Sequence, residues 1–221
     1  MIGQMREILA RIAELGGPVV LVLGVVSVVS LALIVYKLWQ FARAGVGRHA
    51  ALRRAIAAWD SGEPNTARRE LDAARSYLRP VIAMAMAGQA DAARLEAEAE
   101  ARFARLERGF RFLDSVAQLA PLLGLFGTVL GMISAFQALQ EAGAQVDPSV
   151  LAGGIWVALL TTAAGLAVAM PAAMVLSWFE ARLDDERVFA GGAIHTVLSP
   201  GGSEQPSAAS PALAARAQGH A

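Results

Sequence analysis

The chain has 221 residues, 56% of them hydrophobic and only 17% charged, against roughly 25% charged in an ordinary soluble domain. Nineteen Lys and Arg balance nineteen Asp and Glu; a zero net charge argues against a nucleic-acid binder, which would carry a basic footprint. There is no cysteine, which excludes disulfide scaffolds, thiol catalysis and thiolate metal sites. Mean hydropathy is +0.48, so the apolar residues form either a large core or membrane spans.

They are gathered into runs. Leu15 to Tyr36 is 22 residues without a charge, Ser115 to Gln140 is 26, and Pro148 to Phe179 is 32. At about 1.5 Å of rise per residue, roughly 20 residues cross a ~30 Å hydrocarbon core, so each run predicts a transmembrane helix. The first ends in Tyr36-Lys37-Leu38-Trp39 with no small-residue cleavage site, and reads as a retained anchor rather than a signal peptide. The sequence therefore predicts an all-α membrane protein: an N-terminal segment (1–14), three spans (15–38, 112–140 and 148–179), a helical segment (39–111), a short loop (141–147) and a C-terminal helix and tail (180–221).

Between Lys37 and Arg111 lie fourteen basic and nine acidic residues, whereas the 141–147 loop has no basic residue. The positive-inside rule then places the N-terminus and the short loop in the periplasm, and the 39–111 segment and the C-terminus in the cytoplasm. Within 39–111, Leu52, Ile56 and Trp59 predict one amphipathic helix, and Leu71, Ala74 and Leu78 a second over Thr66–Leu78. A third segment runs Val81–Ala87. From Gln89 the pattern predicts an unbroken helix running into the second span to Gln140, a rod of roughly 78 Å. The Gly-, Pro-, Ser- and Ala-rich tail from Ser199 reads as disordered.

The second and third spans are rich in small residues. Gly124, Thr128 and Gly131 fall on one helical face, and Gly127 and Gly131 form a Gly-x-x-x-Gly pair. The third span repeats the pattern with Ala158, Thr161, Thr162, Gly165 and Ala169. Such spacings let helix backbones approach closely in lipid, with the threonines bonding back to their own helices. Pro121 and Pro171 each remove a helix hydrogen bond and mark candidate kinks. No Asp, Glu, Lys, Arg or His lies inside any run, so a proton or ion path through this chain needs a titratable group from another subunit. His49, His195 and His220 are far apart and outside the spans. With no metal-ligand spacing, catalytic triad or Walker-type motif, neither an enzyme nor a metal or cofactor is expected.

Two stretches resemble the MotA/TolQ/ExbB proton channel family, with ExbB the nearest branch: Ala120-Pro121-Leu122-Leu123-Gly124-Leu125-Phe126-Gly127-Thr128-Val129-Leu130-Gly131-Met132, and Gly154-Ile155-Trp156-Val157-Ala158-Leu159-Leu160-Thr161-Thr162 continuing through Gly165 to Pro171-Ala172. The likeness covers about 110–180 by motif and extends by span number and loop size to a channel domain at about 75–190. It implies a homo-oligomer, a pentamer in the family, whose second and third spans surround a lumen. An ExbD-like single-span partner would bring the titratable aspartate, and a TonB-like protein would receive the energy. By motif position Thr128 and Thr162, with Thr161 beside them, are the expected pore-lining residues, and Gly124, Gly127, Gly131, Ala158 and Gly165 the expected packing residues. The family's third span normally carries a glutamate where this chain has Val157. A TolQ-like envelope stator, or a structural oligomer without conduction, are the alternatives.

Overall fold

A computed structural model describes residues 2–141 and 148–201, with side chains from Gly17 onward except Val150. The described residues form seven helices and no strand: α1 (Ile2–Ala44), α2 (Ala50–Asp60), α3 (Pro64–Ala73), α4 (Arg79–Met86), α5 (Ala92–Glu107), α6 (Phe110–Glu141) and α7 (Pro148–Leu198). The all-α architecture with three long apolar helices is as expected. The loop at 142–147 and the tail from 202 lie outside the described residues. The chain divides into two units, Met1–Gln40 with Glu107–Arg182, and Phe41–Leu106 with Leu183–Ala221.

Among the described residues three helices are long and apolar enough to cross a membrane, and the first unit holds their charge-free stretches. Its core joins all three: Val19 and Leu23 of α1, Val116 and Ala120 of α6, and Ala169 and Ala172 of α7 are buried together. The outer faces are apolar and open, with Val28 69%, Trp156 63% and Met174 74% exposed. In water such a surface costs about 25 cal/mol per Å²; against lipid tails it costs nothing, so the bilayer is the solvent this unit requires. Tyr36, Trp39 and Trp178 are exposed near the polar ends of the charge-free runs, where amphipathic rings suit a headgroup layer. Lys37 is buried: its ammonium donates to Gln40 Oε1 at 2.8 Å and lies 5.7 Å from the centre of the Phe110 ring.

α6 and α7 pass through Pro121 and Pro171 without interruption. The non-helical residue is Gly17, at φ 67° and ψ −173°, so α1 is two helical pieces meeting at Gly17-Pro18.

The predicted rod from Gln89 to Gln140 is corrected. It is two helices, α5 and α6, separated at Gly109, where φ is +96°. That φ lies in the left-handed region, which glycine alone enters cheaply. The N–H groups of Phe112 and Leu113 bond to the Gly109 carbonyl and restart the helix. A Cβ at this position would also meet Leu33 Cδ1 at 3.2 Å. Gly109→Ala is therefore expected to lower stability by about 1–2 kcal/mol, read as an earlier thermal transition in detergent. A melt matching that of the Gly24→Ala control, whose added Cβ meets nothing within 4 Å, would count against the strain.

The second unit has its own core: Leu52 and Ile56 of α2, Leu71 of α3, Val81 and Ile82 of α4, Leu95 and Phe103 of α5, and Leu183 and Ile194 of α7 are buried. Trp59 of the predicted stripe is half-buried and donates its indole N–H to the Val197 carbonyl at 3.1 Å. The second predicted helix ends at Ala73, not Leu78, because residue 74 turns extended at ψ 127°. The extended stretch that follows reaches the exit of α1, where Tyr77 N–H bonds to the Ala44 carbonyl. Gly45 makes this approach possible: its φ is +71°, and a Cβ would stand 2.5 Å from the Arg75 carbonyl oxygen.

Candidate functional site

The site of interest in the first unit is the seam between α6 and α7. Glycines on both helices bring the backbones together. A Cβ on Gly124 would lie 2.9 Å from the Thr161 carbonyl, one on Gly165 2.6 Å from the Ala120 carbonyl, and one on Gly127 2.7 Å from Thr161 Cβ. Further along, Gly131 faces Ala158 at 3.3 Å and Gly154 faces Ala135 at 2.3 Å by the same measure. The five residues expected at helix contacts thus meet in one strip, with Gly154 and Ala135 added to it. Without a hydrophobic drive between helices in lipid, close van der Waals contact is what holds such a seam.

The threonines divide. Thr161 is 1% exposed and sits inside the seam. Its hydroxyl donates to the Ala158 carbonyl at 2.7 Å, with the Gly124 carbonyl at 3.3 Å. Thr162, half-buried, turns its hydroxyl toward the same Gly124 carbonyl at 3.5 Å. Thr128 is half-buried and donates back to the Leu125 carbonyl at 2.7 Å. Thr161 and Thr162 therefore converge on one carbonyl of α6, whereas Thr128 is satisfied on its own helix. A hydroxyl bonded this way keeps its lone pairs as acceptors.

Val157 is half-buried and lines a cavity of about 300 Å³ shared with Gly17, Pro18 and Val19 of α1, Gly127, Gly131 and Ser134 of α6, and Gly154. The position that resembles the family's glutamate thus opens onto a space with no ionisable residue among the described residues that line it.

A polar cluster in the second unit escaped the sequence reading. Glu186 of α7 is 2% exposed. Its carboxylate accepts from His49 Nε2 at 2.7 and 2.8 Å, from the Gly47 N–H at 2.7 Å and from the Tyr77 hydroxyl at 2.5 Å. His49 stacks on Phe189 at 4.3 Å, and its Nδ1 faces Ser76 Oγ at 3.5 Å. Burial alone would raise the Glu186 carboxyl; the bonds from His49 and Tyr77, the His49 charge and the Gly47 N–H outweigh it and hold the group below the ordinary carboxylate range. Burial, then the bond to Glu186, pushes the Tyr77 phenol up. Separations of 137 residues (His49) and 109 (Tyr77) leave no local signal for this cluster.

The model of the MotA/TolQ/ExbB proton channel family matches residues 58–188, a stretch that takes in the whole seam and Glu186. Among curated relatives, a biopolymer transport protein ExbB homologue of Methanothermobacter thermautotrophicus is 44% identical over 81 residues, 37% of this chain and 28% of that protein. Biopolymer transport protein exbB1 of Vibrio cholerae is 48% identical over 64 residues, 29% of this chain and 28% of its own length. The Tol-Pal system protein TolQ of Haemophilus influenzae is 43% identical over 79 residues, covering 36% and 34%. In each case the match spans about a third or less of the relative's length. The small-residue spans noted in the sequence, the glycine seam they build and a family match over more than half of the chain agree: this multi-pass membrane protein belongs to the MotA/TolQ/ExbB proton channel family.

Proposed function

We propose that the chain is the pore-forming subunit of an inner-membrane proton channel and works as a homo-oligomer, a pentamer by family likeness. An ExbD-like single-span partner supplies the titratable aspartate, and a TonB-like protein takes up the energy for outer-membrane transport. The N-terminus faces the periplasm and the C-terminus the cytoplasm. The observation that carries this reading is the α6–α7 seam: two charge-free spans locked by glycines, with threonine hydroxyls as the polar groups at their contact and Val157 where a carboxylate would otherwise stand. A chain without its own ionisable group in the spans leaves protonation chemistry to its partner. Hydroxyls donate and accept, which suits solvating a partner carboxylate. One charge crossing 100 mV yields about 2.3 kcal/mol, enough to bias a conformational cycle of similar size. Similarity to a TolQ protein supports the same stator serving a TolA-like client as the second reading; a neighbouring gene encoding the client separates the two.

The test is proton flux in liposomes from the chain co-expressed with its single-span partner. Flux no greater than that of a partner-aspartate mutant sinks the proposal and favours a structural oligomer. Thr128→Val and Thr162→Val are expected to cut flux at least tenfold while the complex elutes unchanged on size exclusion. Unchanged flux in both assigns these threonines to packing alone.

A further inference from the structure

We propose that α1 and α7 hold a water-binding site between them, inside the membrane and beside Pro171. Proline has no N–H, so the Ala167 carbonyl, four residues earlier, has no donor in its own helix. α7 nevertheless runs through this position without a break. Pro171 stands eight residues before the end of the charge-free run at Phe179, about 12 Å inside it at the helical rise. Backbone groups at that depth must be satisfied by protein or by water, because hydrocarbon offers nothing. Across from them α1 brings two hydroxyls. Ser27, Ser30 and Ile34 of α1 and Ala167 and Pro171 of α7 line one cavity of about 140 Å³, and all five belong to the first unit.

The polar groups around this cavity do not satisfy one another. Ser30 is buried, and its hydroxyl donates to the Val26 carbonyl at 2.7 Å, which leaves its oxygen free to accept. The Ser27 hydroxyl is half-buried and has no partner among the described residues. No side chain among the described residues donates to the Ala167 carbonyl. One water completes the set: it accepts from Ser27 and donates to the Ala167 carbonyl and to Ser30 Oγ. Three bonds is the usual number for a buried water, whose share of liquid volume is about 30 Å³, so the cavity has room for it. A lipid acyl chain in the same space has neither donor nor acceptor and leaves both Ser27 and Ala167 unmet. The water thus stands in for the bond that Pro171 removes, and it ties α1 to α7 by polar contacts within an otherwise apolar span.

X-ray radiolytic footprinting of the full chain in liposomes tests this with water itself as the probe: a bound water split by the beam oxidises the side chains it touches, and mass spectrometry locates the added oxygen. Ile34, 9% exposed and part of the lining, is expected to be labelled several times faster than Leu23, which is 1% exposed and outside it. It is also expected to be labelled faster than Val28, which is 69% exposed on the face read as meeting lipid; exposure alone predicts the opposite order. Ser27→Val removes the donor to the water, and Pro171→Ala returns an N–H to the Ala167 carbonyl. Each is expected to cut Ile34 labelling severalfold. Ile34 labelled no faster than Leu23 overturns the site, and is the result of a dry cavity or one filled by an acyl chain. Unchanged Ile34 labelling in both variants, each folded by circular dichroism, also overturns it. The native comparison needs no substitution, so it decides the case if a variant does not fold. The readout is independent of proton flux and stands apart from the channel reading.

Discussion

Glu186→Ala is expected to destabilise the second unit by about 3–5 kcal/mol, because several buried donors lose their one acceptor and each unsatisfied group costs about 1–3 kcal/mol. The alanine strands the His49 ring, the Tyr77 hydroxyl and the Gly47 N–H in a space where the carboxylate had served all three. Thermal melts by circular dichroism in detergent check it; a shift no larger than that of an exposed substitution such as Asp185→Ala removes the cluster from the list of stabilising contacts. The pH dependence has a definite sign. The folded carboxyl is held below its ordinary value, so its contribution is present above the unfolded pKa of about 4.3 and is lost as pH falls through the lower folded value. The stability difference between the native chain and Glu186→Gln is therefore expected to shrink as the pH falls below about 4. A difference that does not change down to pH 3 contradicts the assignment of the ionised carboxylate as the acceptor.

Gly165→Leu is expected to have the second large effect, opening the α6–α7 seam. Even the first carbon of the new side chain would stand 2.6 Å from the Ala120 carbonyl and 3.1 Å from Gly124 Cα. Both are backbone atoms, so neither can swing aside; the helices must part, and overpacking of this kind costs about 1–3 kcal/mol for the first added groups. Parting them also separates Thr161 and Thr162 from the Gly124 carbonyl. The expected readouts are a lower melting temperature, loss of the assembled species on size exclusion and loss of proton flux with the partner. Gly153→Leu is the control, because a Cβ there meets nothing within 4 Å. Equal behaviour of the two variants would mean that the seam does not hold the spans together.

Some of this was legible residue by residue. The charge-free runs mark the membrane helices because a buried charge in lipid is costly and a span has a fixed minimum length. The glycines of the seam are legible because a Gly-x-x-x-Gly spacing puts two Cβ-less positions on one face whatever the partner helix is. The threonines are not. Thr161 and Thr162 are neighbours about 100° apart on the helix, and nothing in their spacing says which one enters the seam. Gly109 is ambiguous for a similar reason: a lone glycine in a helical pattern can be tolerated or can take a positive φ, and the neighbours that settle it, Leu33 and Lys37, lie more than seventy residues away.

By itself the sequence determined the solvent of each part of the chain: three runs without charge for lipid, a basic helical segment for water, and spans without a titratable group of their own. These are properties of short windows, where hydrophobicity and helical period act locally. Only the tertiary structure decided that Thr161 is inside the seam, that α5 and α6 part at Gly109, and that Glu186, His49 and Tyr77 form one buried cluster. Each of those depends on atoms from distant segments meeting within a few ångströms. Pairings across more than a hundred residues follow from how the helices pack, which the local pattern of any one of them does not contain.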